Sequence, residues 1–339
     1  ILNQPIVLYR RQDGAPVAFE DSCCHRQLPL SMGEVVGDDL ICGYHGLRYD
    51  ESGRCIEVPG QPTPPPGAGV RAFPVVEKWG FIMLWMGDPA LADEGLLPNW
   101  WWADEPGWKR ANNNLIDIDC DYRLINDNLI DVTHVSFVHK QSIGNEAVVD
   151  FPQEMEIEDR FMRATRWIRD RPPPPMYQAA GRFTGNVDRG QIVEFTVPCY
   201  TANHAILNQV ENGKPVDEGR VQHVALSAAT PESETQSHYF FTFVRNYGLD
   251  DPYLDRVFDR QFVDVFYEDA AILDAQQMNM DRNPDAATIN IAVDKGPMQA
   301  RRLIDDGRRL VARSADCCWS WGCSDSDCNS GETYRGVNG

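Results

Sequence analysis

Two short stretches hold the residues able to do chemistry. In the first, Cys23 and His25 form a C-x-H pair, and Cys42 and His45 form a C-x-x-H pair further along. Two thiolates and two imidazoles on two loops complete a four-ligand metal site, each loop bringing one sulfur and one nitrogen. That order suits a [2Fe–2S] centre with two Cys on one iron and two His on the other, because each loop then touches both irons. Neutral imidazoles take negative charge off such a cluster and raise its potential. A single zinc ion in a Cys2His2 set is the alternative. Zinc modules usually pair Cys with Cys and His with His along the chain, which this stretch does not.

The second stretch is NLIDVTHVSFVH, residues 128–139, with His134 and His139 five apart. On an ideal helix that spacing turns the side chains about 140° from each other, so they converge only if the helix distorts or ends between them. By spacing alone such a pair is more often structural than ligating. A facial triad needs one carboxylate beside two His, leaving the other positions of an iron open. The candidate lies in FVDVFYEDAAILDAQQ, residues 262–277. Phe262, Val265, Phe266 and Leu273 sit at helical spacing, and Asp269 falls on the face they define. A carboxylate on an apolar face needs a partner; a metal, an Arg or a loop cap would serve. Its neighbour Glu268 is expected to point elsewhere.

The segments CCHRQLPLS and GDDLICGYHGLRYD resemble the Rieske non-haem iron oxygenases, most closely the vanillate O-demethylase and dicamba monooxygenase group of oxygenase components. The resemblance runs from residue 1 to about residue 305, and D-x-x-H-x-x-x-x-H is the group's mononuclear iron motif. It implies that Cys23, His25, Cys42 and His45 hold a [2Fe–2S] Rieske cluster, and that His134, His139 and Asp269 hold a mononuclear Fe(II). It implies that Asp131 bridges His134 to the Rieske ligand His45 of the next chain in a homotrimer, and that Asn128 lines the iron pocket. His238 is expected to face the substrate pocket, a satisfied core histidine being the alternative. His204 and His223 read as structural or surface residues. One departure is Cys24, where the group usually has Pro; Cys23 is kept as ligand because only it gives the C-x-H spacing. Another is Arg260, where related chains carry a pocket aromatic. An Arg there would pair with a substrate carboxylate bidentately or stay solvated on its helix.

The elements that must position these residues fall into two groups. Residues 5–9 and 16–19 form a hairpin around Gln12-Asp13-Gly14, and short strands run through the Cys-His loops to about residue 87. This predicts an all-β module over 1–87. Residues 88–110 carry Trp100, Trp101, Trp102 and Trp108 and read as an anchored connector. Beyond residue 112 come a helix over 121–138, alternating runs at 155–168, 191–197, 221–228 and 238–244, and a long helix from Pro252 to about Met280. Antiparallel strands with long helices predict an α+β fold for 88–315, and the resemblance implies a helix-grip sheet. Residues 316–339, with four Cys and no periodicity, read as a disordered tail to which no function is assigned.

Composition narrows the partners. The 339 residues carry a formal net charge of −20, which argues against nucleic acid and against an anionic membrane surface. No apolar run reaches the ~20 residues of a spanning helix. The chain begins at Ile1, so part of the first module is expected upstream. Two of the ten Cys belong to a metal motif, which points to a reducing, cytoplasmic compartment, with Cys55, Cys120 and Cys199 as buried thiols. No Gly-rich phosphate loop is present, so electrons must come from a separate reductase. The resemblance implies a monooxygenase that uses O2 to O-demethylate a methoxylated aromatic acid. Ring hydroxylation and N-demethylation are the rivals on the same apparatus; a Rieske electron carrier and a zinc-binding module are rivals of another class.

Overall fold

The alternating stretches sort into separate sheets in the computed structural model, which describes residues 1–144, 150–216 and 219–313 and their side chains to 307. The Cys-rich stretch 316–339 lies outside the described residues. Strands Ile6–Arg10 and Pro16–Glu20 pair antiparallel, and Ala72–Phe73 joins them. Strands Glu34–Val36, Asp39–Ile41, Arg48–Tyr49 and Cys55–Glu57 make a second small antiparallel sheet. Between the two sheets lies a core of Val7, Tyr9, Phe19, Leu30, Leu40 and Tyr49, with Cys23 and Cys42 inside it. Each metal loop leaves directly from a strand of this core. The second is held tightly: a Cβ at Gly43 would lie 2.6 Å from the Met32 carbonyl oxygen, so only glycine fits between Cys42 and Tyr44.

The catalytic half is built on a large antiparallel sheet. Its main path runs Ser237–Arg245, Val221–Pro231, Tyr200–Glu211, Val187–Thr196, Phe161–Arg171 and Gln153–Ile157, with Lys109–Arg110 and Asn114–Ile118 both paired to the Ser237–Arg245 strand. One face packs against the helices, through Phe195, Tyr239, Phe241, Phe243, Phe266 and Leu273. The other face, carrying Ala202, Val224, Leu226 and Val244, is covered by Trp100, Trp102, Phe81 and Met83. Trp100 is 2% exposed, so the tryptophan run is an anchor, as expected. The fold is α+β, a β module followed by an antiparallel sheet with long helices.

Four elements differ from the sequence expectation. Residues 155–168 form not one strand but two, Gln153–Ile157 and Phe161–Arg171, which pair with each other across a polar turn at 158–160. The central strand Tyr200–Glu211 and the edge strand Asn114–Ile118 were not expected. In the central strand, covered on both faces, apolar residues do not alternate cleanly with polar ones. The helix expected over 121–138 stops at Ile130.

The long helix is as expected in extent but is not uniform. It starts as Pro252–Arg256, passes through a π-helical turn at Val257–Gln261, and continues as Phe262–Arg282. It is locked to the sheet by stacked rings, Phe241 on Phe266 at 4.6 Å between centroids. Phe241→Ala is expected to lower stability by about 3–5 kcal/mol, the usual result of emptying a buried aromatic site, read as a shift in the urea midpoint. Because this stack also fixes the helix that carries Asp269, iron content should fall in the same variant.

Candidate metal centres and active site

The mononuclear site begins where the first catalytic helix ends. Asp121 caps the Tyr122–Ile130 helix at its start. At its end the Asp131 carboxylate accepts from the Thr133 main-chain N–H at 2.9 Å and from the Thr133 hydroxyl at 2.6 Å. Such local side-chain bonds compete with the helical ladder, and the following residues Val132 and Thr133 are poor helix formers. The chain leaves the helix, turns once as a 3-10 helix at His134–Ser136, and brings His139 back toward His134. The two rings meet with centroids 5.4 Å apart.

The long helix supplies the third group. Asp269 is buried at 7% exposure on the apolar face. Its Oδ1 lies 2.9 Å from His139 Nε2 and 3.5 Å from His134 Nε2. Asn128 donates from Nδ2 to the same oxygen at 3.1 Å. The other nitrogen of each imidazole is already committed. His134 Nδ1 bonds the main-chain carbonyl of Asp131, and His139 Nδ1 bonds Glu268 at 2.7 Å. Both rings are therefore held with Nδ1 as donor and Nε2 turned inward, as metal-ligating histidines require. Burial alone would depress His139, but Asp269 and then Glu268 outweigh it and hold the group above its usual value. Donor atoms of His134, His139 and Asp269 all lie within 4.8 Å of one another. Two imidazoles and one carboxylate in this arrangement fit a non-haem Fe(II) with open positions.

The two Cys-His loops divide by element. Cys23 and Cys42 are buried at 2% and 3% exposure, while His25 and His45 are exposed. The imidazoles face each other edge-on at 4.5 Å between centroids, and the Tyr44 ring lies 3.9 Å from that of His45. Among the described residues only His134, His139 and Asp269 bring three donor atoms within reach of a single ion. A thiol pair inside and an imidazole pair outside fit a two-iron cluster better than one zinc tetrahedron. The Tyr49 hydroxyl lies 3.1 Å from Cys23 Sγ and 3.3 Å from Cys24 Sγ. Burial works to raise the Cys23 thiol, yet the bonds from Tyr49 and from the main chain at His25 hold it low.

Residues 1–74 match the Rieske [2Fe-2S] domain model, and residues 118–309 match the vanillate O-demethylase oxygenase C-terminal domain model. The chain belongs to the vanillate O-demethylase family of Rieske oxygenase components. It is 36% identical to the iron-sulfur subunit of the toluene-4-sulfonate monooxygenase system of Comamonas testosteroni, over 90% of this chain and 89% of that one. It is 35% identical to a vanillate O-demethylase oxygenase subunit of a Pseudomonas species, over 92% and 95%. A crystal structure of dicamba monooxygenase with non-haem iron and dicamba superposes with a TM-score of 0.80 at 29% identity, covering 92% of this chain and 91% of that one.

Four expectations about this oxygenase's site change. His238 does not face the substrate pocket. It lies where strand Ser237–Arg245 begins, on the opposite face from Tyr239, Phe241 and Phe243, and bonds Asp117 at 2.7 Å. The histidine on the pocket face is His223, 3% exposed among Tyr177, Phe258 and Phe262. Burial, then the nearby guanidinium of Arg189, push it down to about 3, so it is neutral. Arg260 is exposed on the π-helical turn, the solvated of its two expected placements. Glu268 does reach the site, through the far nitrogen of His139; a carboxylate beside an expected ligand on the same helix was the available signal. Asp131 touches His134 through its main-chain oxygen, and not through its carboxylate.

Two outcomes are expected. Glu268→Ala should weaken Fe(II) binding about 10- to 100-fold, the usual effect of removing a carboxylate behind a ligating imidazole, measured by chelator competition with cluster absorbance unchanged. Tyr49→Phe should lower the cluster's reduction potential by about 40 mV, the equivalent of one hydrogen bond of ~1 kcal/mol to a ligand sulfur, measured by protein-film voltammetry.

Proposed function

We propose that the chain is the oxygenase component of an O-demethylase acting on methoxylated aromatic acids. The observation that carries this reading is the opening of the two-His, one-carboxylate set into a cavity of about 100 Å³ lined by Leu129, Val132, Phe243, Phe262, Val265 and Phe266. That is several times the ~10–15 Å³ one water takes on the same measure, room for a single substituted ring. The two relatives are named for vanillate and toluene-4-sulfonate, both single-ring aromatic anions.

Cys23, His25, Cys42 and His45 would hold the Rieske cluster, and His134, His139 and Asp269 the mononuclear iron. When bound, the cluster supplies single electrons and the mononuclear iron supplies the reduction of O2 that puts one oxygen atom into a methyl C–H bond. An aryl methyl ether, O2, two electrons and two protons then give a phenol, formaldehyde and water. The chain's own residues orient the reactants. The apolar walls seat the ring and exclude water. Asn128 fixes the Asp269 carboxylate, while Glu268 and the Asp131 carbonyl fix the two imidazoles with Nε2 inward. Electrons come from a separate reductase, in keeping with relatives named as oxygenase components of larger systems. The exposed His25 and His45 suit delivery across a subunit boundary to the Asp131 region of the next chain, in a homotrimer. No described helix is long and apolar enough to cross a membrane, and the free thiols of the described residues fit a reducing cytoplasm.

A second reading is hydroxylation of the methyl group of a toluene-type sulfonate, favoured by the 36% identity to the Comamonas subunit. N-demethylation and ring hydroxylation would need the same two metal centres. An electron carrier or zinc module would not need the triad. Protein purified without air should carry about three irons per chain and a rhombic EPR signal after reduction. With a reductase it should release formaldehyde from methoxybenzoates. Formation of an alcohol from 4-methylbenzenesulfonate without formaldehyde from any methoxybenzoate would replace the first reading by the second. Zinc in place of iron would remove both.

A further inference from the structure

One buried cation without an ion pair among the described residues stands in the wall of the active-site cavity. Strand Val187–Thr196 places Arg189, Gln191 and Val193 on the helix-covered face of the sheet, in the wall of the active-site cavity. Arg189 is 3% exposed. Its guanidinium lies 4.7 Å over the Tyr177 ring and donates from one Nη to the Ile143 carbonyl at 3.2 Å. Its Nε has no partner, and neither has the Oε1 of Gln191, two residues along the same wall.

What sets Arg189 apart from the other buried arginines of the catalytic half is its place in the cavity wall. Arg245, 1% exposed, pairs with Asp255 at 2.5 Å. Arg166 donates from Nε to the Phe151 carbonyl and, like Arg189, has no ion pair and an unpartnered nitrogen, but it does not line the cavity. No carboxylate among the described residues lies within ion-pair distance of Arg189. A guanidinium stays protonated even when burial pulls it below its usual value, as happens here. A desolvated, uncompensated charge is costly, and a stability-driven sequence would replace it with an apolar residue. Such a group persists where a ligand completes it.

The geometry points to Arg189 as the receptor for the acid group of the substrate, a carboxylate or sulfonate on a single aromatic ring, inside the cavity that the iron triad borders. This rests on the aromatic-acid reading above and adds the residue that selects the acid. A guanidinium fork matches either oxyanion bidentately. Neutral His223 and Tyr177 beside it add no competing charge. The arginine that recognises the acid is thus on the sheet, not on the long helix where Arg260 stands.

The test uses the iron-loaded protein without reductase or O2. Dissociation constants are measured by calorimetry for 4-methoxybenzoate, 4-methoxybenzenesulfonate and the neutral 4-methoxybenzamide. The wild-type protein should bind the preferred anion about 10- to 100-fold more tightly than the amide, the range for a charge-assisted hydrogen bond. The stronger of the two anions identifies the acid. Arg189→Met should bring the ratio to about one by weakening the anion and sparing the amide. Arg189→Lys, which keeps the charge but not the fork, should retain a reduced preference. An unchanged ratio in either variant would overturn the assignment, as would equal binding of all three compounds by the wild type. Should Arg189→Met not fold, the Lys variant and the wild-type ratio decide alone. The two readings fail separately. Arg189-dependent anion binding with no formaldehyde released under turnover would sink the demethylase and keep the receptor. Formaldehyde release with Arg189-independent binding would do the reverse.

Discussion

The catalytic half depends on one carboxylate held where a carboxylate does not belong. Asp269 sits on the apolar face of the long helix, between Phe266 and Leu273, with a side chain only 10% exposed. Left alone there, its charge would be strongly destabilising. Two imidazole Nε2 atoms and the Asn128 amide converge on it instead. Each of those groups is in turn positioned by something else: Asn128 by the first catalytic helix, His134 by the Asp131 carbonyl, and His139 by Glu268 from the same turn as Asp269. Loss of any one support frees a ring to rotate and removes a ligand direction.

That convergence needs an irregular backbone beside a rigid one. The long helix is pinned to the sheet by Phe241 stacked on Phe266 and by Phe243 packed against Phe258 and Phe262. The histidines come from a segment that has left its helix and makes only a short 3-10 turn. A regular helix through 121–138 would have splayed them. Departures from regular helix, here the 3-10 turn and the π-helical turn at Val257–Gln261, are common at functional sites. In both cases they adjust where a side chain points without disturbing the sheet.

The large sheet does two jobs with its two faces. The Trp-covered face joins the catalytic half to the 75–84 hairpin. The helix-covered face makes the cavity, and there strand alternation decides which residues meet substrate. Arg189 and His223 turn their side chains to that face, while His238 is on the other and the His204 ring packs against Trp102 at 4.8 Å between centroids. One residue of register separates a pocket group from a structural one.

The sequence by itself determined what depends on residue type and local spacing. The C-x-H and C-x-x-H pairs, the D-x-x-H-x-x-x-x-H run and the lone carboxylate on an apolar helical stripe were readable, because ligand chemistry and helical periodicity are local properties. The α+β class followed from alternation and helix length. The tertiary structure decided everything that depends on which face a strand turns inward and on who its neighbours are. It separated His223 from His238, left Arg260 in solvent while burying Arg189 in the cavity wall, and turned Glu268 toward His139. It also revealed the strand Tyr200–Glu211, in which burial on both faces hides the alternation that marks a strand. The charge left on Arg189 is visible only once every carboxylate has been placed, because the lack of a partner is a property of the whole fold and not of any segment.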